Sequence, residues 1–277
     1  MKFTKMHGIG NDYIYVNGFE EQVADKAALS RRLSDRHFGI GSDGMIFINP
    51  SDKADFEMEM YNLDGSRGKM CGNGIRCVGK YVYDNGLTDK TEITVETLAG
   101  IKTLKLFTEN GKVSAVTVNM GAPIFDPASI PVNLPGEKIV SEPVSVDGKE
   151  YLITCVSMGN PHAVIFVPDT ESLELEKLGP KFENNSLFPD RVNTEFVQVL
   201  DRTHLKMRVW ERGSGETFAC GTGACAVLAA GVLNEKCENT STLILRGGEL
   251  TIEWSRESGD IYMTGPAETV FTGEVDI

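Results

Sequence analysis

Cys71-Gly72-Asn73-Gly74 and its echo Cys220-Gly221-Thr222-Gly223 decide how this chain is read. Each places a thiol just before a glycine-flanked turn that opens an apolar, helix-compatible run. In the first run Ile75, Val78 and Val82 recur at helical spacing until Asn85-Gly86 supplies a stop; the second runs from Ala224 to Leu233. A sulfur beside the free N–H groups of a helix start is expected to ionise more easily, and the same N–H groups can hold a carboxylate. Two such cysteines in matching contexts suggest a pair of acid/base groups facing one substrate.

The spacing exposes a repeat. Cys220 lies 149 positions after Cys71, and the same offset carries Gly10-Asn11 onto Gly159-Asn160, Asn62 onto Glu211 and Asn73 onto Thr222. Apolar positions agree as well, with Tyr61 against Trp210 and Met60 against Val209. An ungapped register over these landmarks marks a duplicated unit, so two similar halves are expected to meet face to face and line opposite walls of one cleft.

Bulk composition bounds the partners. At 277 residues the chain has room for two domains with their own cores. A formal charge of −13, with no Lys/Arg cluster to offset it locally, repels phosphate backbones and anionic lipid surfaces. Nucleic acid and membrane are therefore not expected as partners. Met1-Lys2-Phe3-Thr4 leads into no signal-peptide core and no apolar stretch approaches a membrane span, so the cytoplasm is the expected compartment. The six cysteines are then expected to be reduced thiols. The four histidines form no His-x-x-x-His pair and the cysteines no Cys-x-x-Cys, so no metal site is expected.

Along the chain, strands are expected within Met1 to Asn17 around the polar Gly8 to Asp12 turn, at Met45 to Ile48, and at Phe56 to Tyr61. More follow at Glu92 to Thr97, Ile101 to Phe107 and Val113 to Met120, with Asn110-Gly111 as a hairpin turn. Asp25 to Asp35 reads as a helix. A segment carrying Pro123, Pro127, Pro131, Pro135 and Pro143 resists helix and central strand. Beyond it the second half is read as strands within Tyr151 to Val167, a helix near Leu173 to Leu178, and strands at Phe196 to Val199, Leu205 to Trp210, Thr242 to Arg246, Leu250 to Trp254 and Ile261 to Thr264. The expected fold is α+β: two pseudo-symmetric domains, each a strand-rich mixed sheet wrapped round a central buried helix, with the active site in the cleft between them. The expected division is 1–118 and 119–264. The tail 265–277, which has no counterpart inside the second unit, is expected to cross back and add a strand to the first.

Other readings of the same residues carry less. Gly221-x-Gly223-x-x-Ala226 formally fits a dinucleotide fingerprint, but the polar Arg212 to Thr217 precedes it and no strand delivers it directly. Cys77, Cys155, Cys225 and Cys237 lack the turn context and read as small buried apolar residues. Asn62, Asn160, Asn193, Glu211 and Arg212 could each cap a turn, yet their placement at equivalent points of the repeat favours a pocket. Arg212 is a natural fork for a carboxylate and Glu211 suits a substrate ammonium, which together imply a zwitterionic amino-acid ligand.

Cys71-Gly-Asn-Gly-Ile-Arg-Cys, Gly159-Asn-Pro-His162, Arg191-Val-Asn193, Trp210-Glu-Arg212-Gly and Ala219-Cys-Gly-Thr-Gly together resemble the cofactor-independent diaminopimelate epimerases, over essentially the whole chain. The resemblance implies interconversion of LL- and meso-2,6-diaminopimelate in lysine and cell-wall precursor synthesis, without pyridoxal phosphate or metal. It implies that Cys71 and Cys220 are the two bases, and that Asn11, Asn62, Gly72, Asn73, Asn160, Asn193, Glu211, Arg212, Gly221 and Thr222 bind substrate. His162 and Glu211 are implied to tune the thiols. One position departs: many members carry Gln where this chain has Gly44, which the repeat pairs with Asn193. Two alternatives stay open at this point: a proline or hydroxyproline racemase, and a non-catalytic amino-acid-binding protein. A homodimer is kept open as the assembly.

Overall fold

Residues 72–84 and 221–233 form two thirteen-residue helices that start and stop alike. Each is capped at its N-terminus by a cysteine in extended geometry, with φ/ψ of −128°/118° at Cys71 and −122°/107° at Cys220. Each ends on an asparagine, Asn85 or Asn234. The computed structural model describes residues 1–277. In chain order the elements are β1 (Lys2–Gly8), β2 (Asn11–Asn17), α1 (Lys26–Leu33), β3 (Gly44–Asn49), β4 (Phe56–Asn62), β5 (Arg67–Gly68), α2 (Gly72–Asp84), β6 (Glu92–Thr97), β7 (Gly100–Glu109) and β8 (Lys112–Gly121). They continue with β9 (Glu142–Val146), β10 (Lys149–Ser157), β11 (Pro161–Phe166), α3 (Leu175–Glu183), β12 (Asn193–Val199), β13 (His204–Glu211), β14 (Gly215–Glu216), α4 (Gly221–Leu233), β15 (Thr240–Leu245), β16 (Gly248–Trp254), β17 (Ile261–Gly265) and β18 (Glu268–Glu274). Two compact units result, Met1–Asn119 with Thr264–Ile277, and Met120–Met263. No helix is long and apolar enough to cross a membrane.

Within the first unit β1 and β2 form an antiparallel hairpin, β2 runs parallel to β3 with Ile14 opposite Met45, and β3 returns antiparallel into β4 with Met45 opposite Tyr61. Within the second unit β11 runs parallel to β12 with Ala163 opposite Thr194, and β12 is antiparallel to β13 with Thr194 opposite Trp210. These are the same pairings displaced by 149 positions. Register in a sheet is fixed by which face is buried, so the match means that the two units bury corresponding side chains. The repeat loses one residue after the helices: Phe56 stands opposite Val95 in the first unit, and Leu205 opposite Leu243 in the second.

The central helices are buried for different reasons of sequence. Helix α2 presents Ile75, Cys77, Val78 and Val82, all without exposure, to the sheet, and Tyr15 donates its phenol hydrogen to the Gly74 carbonyl at 3.0 Å. Helix α4 is apolar on all sides, and Ala224 through Ala230 have no exposed surface. The single large polar side chain enclosed with α2 is Arg76, which donates to the carbonyls of Pro266 (3.1 Å) and Gly72 (3.3 Å) and to Asn73 Oδ1 (3.0 Å). A fully buried guanidinium is tolerated where its fork is met by oxygens, and here it ties the helix start to the C-terminal tail.

One expectation changes. The tail does have a positional counterpart: β18 pairs antiparallel with β1, as β9 pairs antiparallel with β10. The counterpart comes from the proline-rich segment, which does yield a strand: Pro143 stands opposite Leu152, its fixed φ compatible with extended chain although it gives up one ladder donor. The same segment supplies Ile130, Val132, Ile139, Val144 and Val146 to the core of the second unit.

All six cysteines are thiols, none joined in a disulfide. Burial pushes the Cys77 thiol up to about 11, and burial together with the Glu195 charge pushes Cys155 up to about 12. A thiol raised in the fold keeps its proton there after the unfolded chain has begun to lose it. The stability it contributes is complete below its ordinary 9.0 and is lost as pH rises from there through the folded value. The slope is about 1.4 kcal/mol per pH unit for each of these two thiols. The melting temperature is therefore expected to fall steadily from about pH 9 to about pH 11; a melting temperature flat across that window contradicts the assignment.

Candidate active site

Cys71 closes the first turn of α2, its sulfur accepting from the Gly74 N–H at 3.3 Å. The thiol donates to Asn11 Oδ1 at 3.1 Å, and the Asn73 amide donates to the same oxygen at 3.4 Å. Asn11 sits at the start of β2, and its amide is not free to turn, because Nδ2 donates to Asp43 Oδ2 at 2.7 Å and a carboxylate can only accept. Asp43 is itself held: it also accepts from the Asp12 N–H, and Arg36 bridges Asp12 (2.7 Å) and Asp43 (2.8 Å). The buried Lys5 completes the cluster on Asp12. Burial opposes the Asp12 charge, but hydrogen bonds from Arg36 and Lys5 outweigh it and hold the carboxyl below its ordinary value. Burial, with the Asp12 charge alongside, pushes Asp43 up.

Asn62 ends β4 and donates to Ser66 Oγ at 3.0 Å, in the loop that leads to Cys71. At Gly44, opposite Asn62 in the ladder, the backbone has φ +159° and a Cβ would come within 2.1 Å of the Tyr61 carbonyl oxygen. The missing side chain is thus built into the backbone path and is not a simple truncation.

Cys220 closes the first turn of α4 in the same way, accepting from the Gly223 N–H at 3.4 Å. Here the resemblance between the halves ends. The position matching Asn62 is Glu211, which accepts hydrogen bonds from Thr217 and from the Cys220 thiol, and whose carboxyl is raised by burial. Burial and the charges of Glu211 and Glu195 lift the Cys220 thiol well above its ordinary value. The expectation that a helix start would make this sulfur easy to ionise is overturned: desolvation and two carboxylates outweigh the helix dipole.

A chain of contacts runs behind Cys220. His162, with no exposed surface, meets Glu195 Oε1 through Nδ1 at 2.7 Å and Asn160 Oδ1 through Nε2 at 3.0 Å. Asn160 donates from Nδ2 to Thr222 Oγ1 at 3.2 Å, and Thr222 Oγ1 lies 3.6 Å from the Cys220 sulfur. Asn193 spends both ends of its amide on backbone, donating to the Pro161 carbonyl and accepting from the Arg212 N–H, each at 2.9 Å. It therefore sets the turn carrying Glu211 and Arg212. The Arg212 guanidinium donates to the Asp190 carbonyl at 2.8 Å.

The structure thus brings Asn11, Cys71 and Asn73 together in one unit, and Asn160, His162, Glu211, Cys220 and Thr222 together in the other. Sequence reasoning missed Glu195 and the group of Lys5, Asp12, Arg36 and Asp43. Glu195 carried a signal, since it is a charge inside the apolar strand that runs on to Phe196 and Val197. No group of three or more His, Cys, Asp or Glu side chains is arranged to hold a metal ion.

Comparison with known proteins bears on this arrangement. A family model described as diaminopimelate epimerase matches residues 3–125 and 154–270. A diaminopimelate epimerase of Acetivibrio thermocellus is 61% identical over 277 residues, covering 100% of this chain and 99% of that protein. One from Agathobacter rectalis is 61% identical over 284 residues, covering 100% of both. Among solved structures, a probable proline racemase from Agrobacterium radiobacter superposes with a TM-score of 0.72 over 100% of this chain and 93% of that one, at 14% identity. At that identity the last likeness speaks for the fold alone.

Proposed function

The chain belongs to the diaminopimelate epimerase family, and from that premise we propose that it interconverts LL- and meso-2,6-diaminopimelate by passing the α-proton between Cys71 and Cys220. The reaction serves lysine and peptidoglycan-precursor synthesis. The observation that carries the assignment of bases is the matched pair of cysteines, each capping an equivalent helix with nearly the same backbone geometry.

One cysteine, as thiolate, removes the α-hydrogen as a proton and leaves the electron pair on the α-carbon, delocalised into the adjoining carboxylate. The other, as thiol, returns a proton to the opposite face, so configuration inverts and the two sulfurs exchange protonation states. The reverse reaction starts from the exchanged state. Charge developing on the substrate carboxylate is met by the N–H groups opening α2 and α4, at Gly72-Asn73 and Gly221-Thr222. One donor aimed in this way is worth about 3 to 4 kcal/mol of transition-state stabilisation. Asn11, Asn62 and Asn160 contribute polar contacts, Asn193 holds the turn that carries Glu211 and Arg212, Arg212 pairs with a carboxylate, and Glu211 faces an ammonium while holding the Cys220 proton. His162 acts on Cys220 through Asn160 and Thr222.

Incubation of the purified chain with LL-diaminopimelate is expected to yield the meso isomer, with L-proline left unchanged under the same conditions. Absence of meso product from folded, reduced protein would sink the reading. Preferential racemisation of proline would leave the thiol pair standing and overturn the substrate.

A further inference from the structure

We propose that Glu183 is the positioning residue for the Glu211-Arg212 turn. Its carboxylate, in the last turn of α3, grips the residues on either side of that pair, Trp210 and Gly213, and so sets where Arg212 is presented. The inference rests on the proposed function and adds a residue to it.

Three contacts meet on this carboxylate. The Trp210 indole N–H donates to Oε2 at 2.7 Å, while Oε1 accepts from the Gly213 N–H at 2.9 Å and from Arg191 Nη1 at 3.0 Å. An indole nitrogen, a backbone nitrogen and a guanidinium can only donate, so the direction of all three bonds is fixed and both oxygens are taken. The helix itself gains nothing from this charge. The carboxylate stands at the C-terminal end of α3, where the helix dipole disfavours it, and its side chain is only 8% exposed. A carboxylate kept in such a place is accounted for by the partners it holds. Arg191 adds a second route to Arg212: the chain turns at Arg191 with φ +60°, and the Asp190 carbonyl beside it receives the Arg212 guanidinium at 2.8 Å. Glu183 thus acts on Arg212 twice, through the N–H that follows it in the turn and through the corner that receives its side chain.

Packing keeps the grip in place. Gly179 and Glu183, four residues apart, share a face of α3. A Cβ on Gly179 would lie 2.2 Å from the Trp210 ring, and one on Gly215 would lie 3.6 Å from it. The ring is therefore held between α3 and the returning β14, whose Gly215 stands opposite Glu211. The first unit supplies the contrast. Helix α1 matches α3 at the offset of 149, but the position of Glu183 is taken by Ser34 and that of Arg212 by Leu63. There the end of β4 is held by a neutral contact, the Ser30 hydroxyl donating to the Asn62 carbonyl at 3.0 Å. The carboxylate occurs in the unit whose turn has an arginine to place.

The test measures KM and kcat for LL-diaminopimelate in Glu183→Gln, made in the full native chain and again in an Arg212→Ala background. Glutamine keeps the shape but brings one acceptor oxygen, so its NH2 group faces either the indole N–H or the Gly213 N–H, and one side of the turn is released. KM is expected to rise about 10-fold in the native background and by less than about two-fold where Arg212 is already absent, because members of one hydrogen-bond network do not add. Hydrogen exchange over residues 211–216 is expected to quicken in the variant. A purely structural role would give the same fold rise in KM with or without Arg212. That result, a native KM in Glu183→Gln, or unchanged exchange over the segment overturns the proposal. Should Glu183→Gln not fold, Arg191→Ala removes the arm of the contact whose side chain is 53% exposed. It is expected to raise KM about three-fold, and a native KM there overturns the proposal. Should the native chain be inactive on diaminopimelate, the function fails while exchange over residues 211–216 still decides whether Glu183 holds the turn.

Discussion

Cys71→Ser and Cys220→Ser are each expected to lower kcat by about 10³-fold or more, the scale at which a positioned general acid or base contributes. Serine is the informative replacement because the two cysteines have two jobs. Each sulfur accepts from the third helical N–H, at Gly74 or Gly223, and so caps its helix. A serine hydroxyl does this at least as well, whereas alanine forfeits about 1 kcal/mol of cap. The hydroxyl nevertheless cannot carry a negative charge at neutral pH, so the serine variants keep the fold and lose the chemistry. The expected measurement is a melting temperature within a few degrees of native (~1 kcal/mol) beside a kcat reduced by about 10³-fold. Near-native turnover in either variant would remove that sulfur from the mechanism.

Gly179→Ala is expected to cost about 3 kcal/mol of stability, at the upper end for overpacking one methyl into a full core. Gly179 lies in α3, and a Cβ there would come within 2.2 Å of the Trp210 ring. The indole cannot withdraw freely, because its N–H donates to Glu183 Oε2 at 2.7 Å and its neighbours in the core include Phe182 and Phe196. Glu183 in turn accepts from Arg191 and from the Gly213 N–H. Displacing Trp210 therefore disturbs the turn that carries Glu211 and Arg212, and kcat/KM should fall along with stability. A drop of about 6 to 12 °C in melting temperature is the expected reading; a change under about 2 °C would show that α3 can shift to admit the methyl.

The strongly periodic parts of the chain were legible in the sequence. A helix capped by Cys71 and stopped at Asn85, a matching helix from Cys220, and the hairpin joining β7 to β8 all follow from spacing and turn residues. Offset arithmetic found Asn11 with Asn160 and Asn62 with Glu211 because it pairs residues that occupy the same place in both halves. For that very reason it passed over Glu195, whose partner by offset is Ile46, and Asp43, whose partner is Val192. Residues that break a symmetry are invisible to a search for it. The expectation about Cys220 failed for a different reason: a helix start is a local feature of sequence, but the burial and carboxylates that oppose it arrive from β12 and β13. The β9 strand was hidden because prolines speak against strand in general, while five residues with one proline can still pair along β10.

The account stands or falls on proton transfer by two different sulfurs, and the isotope content of each isomer early in the reaction tests this most directly. LL-diaminopimelate is taken to a small conversion in heavy water, and the α-position of recovered substrate and of product is read by NMR. Two bases predict meso product carrying deuterium and unreacted LL isomer still carrying its original hydrogen, because the proton removed from one face stays on one sulfur while the other delivers from solvent. Product that retains the substrate's own hydrogen would mean that a single group lifts and returns it, and would contradict the account.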